Sequence, residues 1–186
     1  NQKLEETAQT LYKHWFVDFE FPNEDGKPYK SSGGAMEYNE ELDKDIPVGW
    51  EAGELGTYSK VKSGYAFSSS DWTSKGIPVV KIGSIDSNYV DYQSLAYVKD
   101  VNIKARKSLA NKGQLVIAMT GATIGKIGIL PDLGPTIYVN QRVGLFTSGF
   151  EELPFLHQTL LKKHVKNDIE NSIVSALFLE NLLNFL

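Results

Sequence analysis

Apolar residues recur at Leu4, Ala8, Leu11 and Trp15, while Glu5, Glu6, Gln9 and Lys13 lie off that line. Spacings of four, three and four predict an amphipathic helix over residues 2–19 with one apolar stripe. The alternation is heptad-like, the pattern by which a helix packs along a second helix. Phe21-Pro22 ends the helix, because a residue before proline is pushed out of the helical region. From 22 to 50 the periodicity disappears. Asn23-Glu24-Asp25-Gly26-Lys27-Pro28 and Ser31-Ser32-Gly33-Gly34 are turn signals. The acidic run from Glu37 to Asp45 is expected to be solvated. Ile46-Pro47-Val48-Gly49-Trp50 closes this connector with an aromatic anchor.

Residues 51–147 change character and read mostly as short strands. Val79-Val80-Lys81-Ile82 is one, Tyr97-Val98 a weaker one, and the wholly apolar Leu115-Val116-Ile117-Ala118-Met119 a buried strand. Ile124 to Leu130 alternates with glycines, and Thr136 to Phe146 alternates apolar with polar. Gly121, Gly125 and Gly128 fall where strands must bend or approach closely. Helical spacing returns over 151–170, with Leu156, Leu160, Leu161, Val165 and Ile169 as the core face and Pro154 in the first turn. The tail, Ser172 to Leu186, is rich in leucine and phenylalanine and needs something to pack on.

Composition narrows the class. The chain has 186 residues, 41% hydrophobic and 23% charged, which suits one globular domain with an appended helix. No segment is long and apolar enough to span a bilayer. The polar stretch Asn1 to Thr10 is unlike a secretory signal. Cysteine is absent, so disulfides and thiolate metal sites are excluded, and a cytoplasmic location is expected. The three histidines are His14, His157 and His164. The last two are seven apart, too far to share a metal as an i,i+4 pair would, and are expected at the surface or half-buried.

Net charge is −4, but it is unevenly spread. Residues 1–59 carry 5 Lys/Arg against 13 Asp/Glu, and residues 127–186 carry 4 against 6. Residues 60–126 carry 10 against 4, net +6. Ten cations on one segment either gather into a phosphate-binding face or solvate separate surfaces.

Catalytic motifs are missing. Gly121-Ala122-Thr123-Ile124-Gly125-Lys126 has three residues between its glycines where a triphosphate loop needs four, and Ile127 stands where Ser or Thr is required. Asp25-Gly26-Lys27 lies among turn signals without a second acid to hold a nuclease metal. No glycine-rich cofactor loop follows a strand, no Asn/Asp-Pro-Pro-aromatic motif is present, and no Ser/His/acid grouping can be argued. The chain is expected to be non-catalytic, with no cofactor and no metal.

Three stretches together resemble the Type I restriction–modification specificity subunit. Leu11-Tyr12-Lys13-His14-Trp15-Phe16-Val17-Asp18-Phe19-Glu20 is similar to the end of that family's central conserved helix. Ile46-Pro47-Val48-Gly49-Trp50-Glu51, Lys62-Ser63-Gly64-Tyr65-Ala66-Phe67 and Gly76-Ile77-Pro78-Val79-Val80-Lys81-Ile82 are similar to the start of a target-recognition domain. Ala118-Met119-Thr120-Gly121 through Gly128, then Asn140-Gln141-Arg142-Val143-Gly144, continue the likeness in order over nearly the whole chain.

The resemblance implies an α+β fold: a mostly β target-recognition domain with flanking helices, its N-terminal helix belonging to a coiled-coil spacer. It implies residues 1–21 as the end of the spacer helix, 22–50 as connector and 51–186 as the recognition domain, without the C-terminal spacer helix. The chain starts at Asn1 and stops at Leu186, and is expected to be a fragment or a half-subunit. The implied function is to read one half of a bipartite double-stranded DNA site. The implied partners are the methyltransferase (M) and restriction (R) subunits, with a second recognition half or a homodimer completing the reader. The alternative is a protein-interaction module that docks a methyltransferase or other partner without reading DNA.

DNA reading needs cations for phosphate, and amide or guanidinium side chains for base edges. Candidates for phosphate are Lys62, Lys81, Lys104, Arg106, Lys107 and Lys126, with the hydroxyls of Ser63, Thr120 and Thr123 beside tight glycines. Arg106, Gln141, Asn88 and Ser70 carry side chains suited to base edges. Tyr65 is a stacking candidate, although with Phe67 it also suits the core. Gln141 and Arg142 either reach DNA or stitch two strands. Leu4, Ala8, Leu11 and Trp15 form the candidate partner interface.

Overall fold

The computed structural model describes residues 2–53, 55–86, 88–99, 103–149 and 152–175. The chain divides between residues 54 and 55 into two compact units.

In the first unit, α1 (Gln2–Tyr12) continues into one turn of π-helix, Lys13–Val17. The wider turn is closed by the Asp18 amide donating to the Lys13 carbonyl at 2.9 Å, and Lys13 Nζ pairs with the Asp18 carboxylate at 2.6 Å. The sequence expected α-helix to 19, so the helix ends differently and earlier. Phe19 then takes a left-handed φ of +59°, which a bulky residue adopts only where packing compels it. Its buried ring meets the face of Trp50 edge-on, with centroids 5.6 Å apart. Tyr29, Phe21 and Trp50 stack with successive centroids 4.6 and 5.3 Å apart. Trp50 thus does the anchoring its place in the sequence suggested. The Glu20 carboxylate accepts from the hydroxyl and amide of Ser31, and these bonds hold its pKa below the ordinary value. The stretch expected as open connector contains a hairpin, β1 (Met36–Asn39) and β2 (Lys44–Pro47). Its strands bury only Ile46 and Pro47, so the run left no alternating signal to read.

The second unit opens with α2 (Leu55–Tyr58) and β3 (Val61–Ser63). Then come β4 (Trp72–Thr73), β5 (Ile77–Val80), β6 (Ile85–Asp86), β7 (Asn88–Val90), β8 (Ala96–Val98) and β9 (Leu109–Ala110). The last strands are β10 (Leu115–Ala118), β11 (Ile127–Ile129), β12 (Ile137–Val139) and β13 (Val143–Phe146), followed by α3 (Leu153–Leu160) and α4 (Lys163–Ser175). Two sheets result, in the orders β3-β13-β10-β11-β7-β6 and β4-β8-β5-β12-β9. Both are mixed: β11 runs parallel to β7 and β12 parallel to β5.

Strand periodicity sorts the core into layers. On β10, Leu115 and Ile117 pack with Leu156, Leu160, Val165 and Ile169 of α3 and α4. The intervening Val116 and Ala118 pack with Val80, Ile137, Val139 and Leu145 between the sheets. On β12, Tyr138 turns the other way and joins Val79, Val98 and Ala105, with Tyr65, Phe67 and Trp72 packed against them. The central strands are buried on both faces, which is why Leu115 to Met119 is continuously apolar. The run expected from Thr136 to Phe146 is not one strand. It breaks at 140–142 and passes from one sheet into the other.

The helix expected over 151–170 divides near Leu161 into α3 and α4. His157, expected at the surface or half-buried, is buried on α3. The end of the leucine-rich tail, 176–186, lies outside the described residues. Among the described residues no helix is long and apolar enough to cross a membrane.

Gly64 marks the tightest crossing. A Cβ there would stand 2.1 Å from the Val139 carbonyl oxygen and 2.3 Å from that of Asn140, both immovable backbone. We expect Gly64→Ala to destabilise the domain by about 2–3 kcal/mol. Gly83→Ala, where nothing lies within 4 Å of the added carbon, should change stability by less than about 0.5 kcal/mol. Urea midpoints of the two variants check the contrast.

Candidate nucleic-acid interface

Strand directions bring separate parts of the sequence to one end of the second unit. β5 and β12 run parallel, with Val80 opposite Val139, so both finish at this end. β13 starts here, since Val143 pairs with Ala118 at the finish of β10 and Gly144 with Ser63 at the finish of β3. β11 also starts here, and β7 starts beside it, with Asn88 opposite Gly128. β9 is antiparallel to β12, with Leu109 opposite Tyr138, so the segment just before β9 belongs to the same end. Residues 62–67, 81–86, 103–108, 119–126 and 140–142 therefore share one rim.

Main-chain hydrogen bonds tie this rim together. The Asn140 amide donates to Val80, Gln141 to Tyr65, Tyr65 to Val139 and Met119 to Arg142, all between 2.9 and 3.0 Å. Gly121 and Gly125 each take φ +78° in the loop after β10, a conformation that favours glycine. This confirms the bend read from the glycine spacing. The loop does not continue into a long helix as a triphosphate loop would; a short 3₁₀ turn, Gly121–Thr123, leads into β11.

The cations are arranged by local geometry. Ile103–Ser108 is a 3₁₀ helix, with three residues per turn. Ala105 and Ser108 therefore share a face and are both buried, the Ser108 hydroxyl donating to the Ala105 carbonyl at 2.8 Å. That leaves Lys104, Arg106 and Lys107 exposed. Exposed Lys81 follows β5 and holds its ammonium 5.1 Å from the Trp72 ring centre. Lys126 precedes β11 and sits 3.6 Å from an Asp86 carboxylate oxygen. Lys62 and Ser63 lie exposed on β3, an edge strand of its sheet. Of the ten cations in residues 60–126, Lys60, Lys75, Lys99 and Lys112 fall away from the rim; Lys112 pairs with Asp132 at 3.3 Å.

Other candidates separate into inward and outward groups. Thr120, Gln141 and Arg142 are exposed on the rim. Thr123 Oγ1 is buried without a hydrogen-bond partner. Tyr65 is half-buried, its ring edge-on to Phe67 at 4.9 Å, inside the aromatic layer. Asn88 opens β7 with φ +85°. Exposed Ser70 meets the Ser68 hydroxyl at 2.9 Å. In the first unit, Leu4 and Leu11 are 75% and 45% exposed on α1, Ala8 is half-buried beside them, and Trp15 is half-buried on the π-turn. Asp86 and Tyr89 were missed in the sequence, where one of four acids scattered through a basic segment carries no signal.

The second unit is thus a two-sheet domain with cations, amide side chains and tight turns at one end. Among the described residues no group of three His, Asp or Glu side chains is placed to hold a metal. Residues 47–182 match the family model of the Type I restriction modification DNA specificity domain, and the chain belongs to that family. Specificity domains are the non-catalytic part of these systems, in line with the missing motifs. The chain is similar to the Type I restriction enzyme MjaIX specificity subunit of Methanocaldococcus jannaschii, at 31% identity over 136 residues. That match covers 70% of this chain and 29% of the relative, so the chain spans under a third of that protein's length. The HsdS subunit from Thermoanaerobacter tengcongensis is similar at 13% identity and TM-score 0.45, over 94% of this chain and 45% of that one. A chain from a study of complex assembly and conformational transition of the type I R-M system matches at 12% identity and TM-score 0.45, over 90% and 41%.

The buried hydroxyl of Thr123 yields a stability test. Removing a buried polar atom that has no partner removes its desolvation penalty. Thr123→Val is expected to raise stability by about 0.5–1 kcal/mol in urea denaturation. A loss of stability would mean that the hydroxyl is satisfied in solution.

Proposed function

We propose that the domain from residue 51 onward reads one half of a bipartite double-stranded DNA site, with the rim as its contact face. The observation that carries this is the gathering of Lys62, Lys81, Lys104, Arg106, Lys107 and Lys126 at one end of an otherwise acidic chain. Phosphate binding depends on local potential, because at working salt the field decays within about 8–10 Å. Exposed Lys104, Arg106 and Lys107 suit phosphate contact. Arg106, Arg142 and Gln141 carry the forks and amides that distinguish base edges in the major groove. Family membership supports the same reading.

In the assembled enzyme, residues 1–21 serve as the end of a spacer helix and 22–50 as its connector. The stripe of Leu4, Ala8, Leu11 and Trp15 packs in a coiled coil against a second helix, from a second recognition half or a second copy of the chain. Methylation and cleavage are performed by the methyltransferase (M) and restriction (R) subunits, in the cytoplasm.

Binding to duplex DNA should weaken as salt rises, with log K falling by about 0.9 per phosphate contact for each tenfold rise in salt. Lys107→Ala should reduce that slope by about one, whereas Lys75→Ala, away from the rim, should leave it unchanged. Fluorescence anisotropy over a salt series measures both. Salt-independent binding, or equal effects of the two substitutions, would contradict the proposal.

A further inference from the structure

The rim carries an acid where a DNA face would be expected to carry none. Asp86 closes β6, directly across the hairpin from Tyr89. The Tyr89 hydroxyl donates to Asp86 Oδ2 at 3.3 Å, leaving Oδ1 toward Lys126 Nζ at 3.6 Å. The Lys126 backbone is fixed. Its amide donates to Thr123 at 3.0 Å, and its carbonyl accepts from Ala118 at 2.8 Å. The Asp86 backbone is fixed by β7, which pairs with β11 immediately after Lys126. Both charged groups remain open to solvent, 42% and 54% exposed, so the ion pair is weak enough to exchange for another anion.

We propose that Asp86 is a built-in competitor of DNA: it holds Lys126 so that a duplex must displace the carboxylate to reach this cation, which weakens binding through phosphate alone. This inference rests on the DNA reading above. A phosphate that takes Lys126 leaves Asp86 exposed a few ångströms from a like charge. Tyr89 keeps the carboxylate from swinging away, because its hydroxyl holds the other oxygen. Lys126 thus contributes less to indiscriminate binding than exposed Lys107.

The test uses the whole chain and a duplex of arbitrary sequence at low salt. Asp86→Asn should tighten binding about threefold and steepen the salt slope by about 0.9. In the Lys126→Gln background the same change should bring less than half of that gain. A second comparison does not depend on Asp86→Asn folding. Lys126→Gln alone should weaken binding less than Lys107→Gln. Wild-type binding with no gain from a folded Asp86→Asn, or with Lys126→Gln as costly as Lys107→Gln, overturns the inference and leaves the DNA reading standing. A wild-type chain that binds no duplex overturns both.

Discussion

The rim depends on one crossing, where β12 leaves one sheet and β13 enters the other. Between them, Asn140 to Arg142 donate to or accept from three other segments: Val80 at the end of β5, Tyr65 beyond β3, and Met119 beyond β10. No side chain could occupy position 64, because the backbone of Val139 and Asn140 fills that space. Opening the crossing would give up these main-chain hydrogen bonds together. Four stretches distant in sequence are held in one place as a result, and the pairing of β9 with β12 brings in the fifth, 103–108. Their side chains can then act as a single surface.

That surface reconciles an acidic chain with the anionic ligand proposed for it. Net charge of −4 describes the whole, while binding responds to potential within about a Debye length. Thirteen of the 23 acids belong to residues 1–54, whereas ten of the 19 cations belong to residues 60–126. Within the second unit, a 3₁₀ helix buries Ala105 and Ser108 and so turns Lys104, Arg106 and Lys107 outward. A short apolar anchor thereby displays three cations without long-range scaffolding. Asp86 offsets this potential locally and gives the rim a means of refusing DNA that offers only phosphate.

The sequence was legible where burial leaves a period. Leu115 to Met119 announced a strand buried on both faces, and Gly121 and Gly125 announced a bend that positive φ values now account for. It was less legible where elements are too short or too polar for a pattern. β1 and β2 bury little, and β4, β6 and β9 contain two residues each. The split of 136–146 falls at Asn140-Gln141-Arg142, three polar residues that pass for part of one alternating strand until their main-chain hydrogen bonds are seen. Charge drew attention to residues 60–126 but could not say which cations converge, since Lys60 and Lys62 are two residues apart and Lys60 lies toward the opposite end. Strand register made that choice. The inward hydroxyl of Thr123 and the packed ring of Tyr65 are likewise consequences of tertiary placement.

The central claim is that one end of the second unit meets the nucleic acid. Backbone amide shifts followed during titration with a short DNA duplex test it most directly. The account predicts that perturbations concentrate in residues 62–67, 81–86, 103–108, 119–126 and 140–142, with α3 and the turn at 111–114 unchanged. Perturbations centred on α3, on α4 or on the 111–114 turn, with the rim silent, would contradict it.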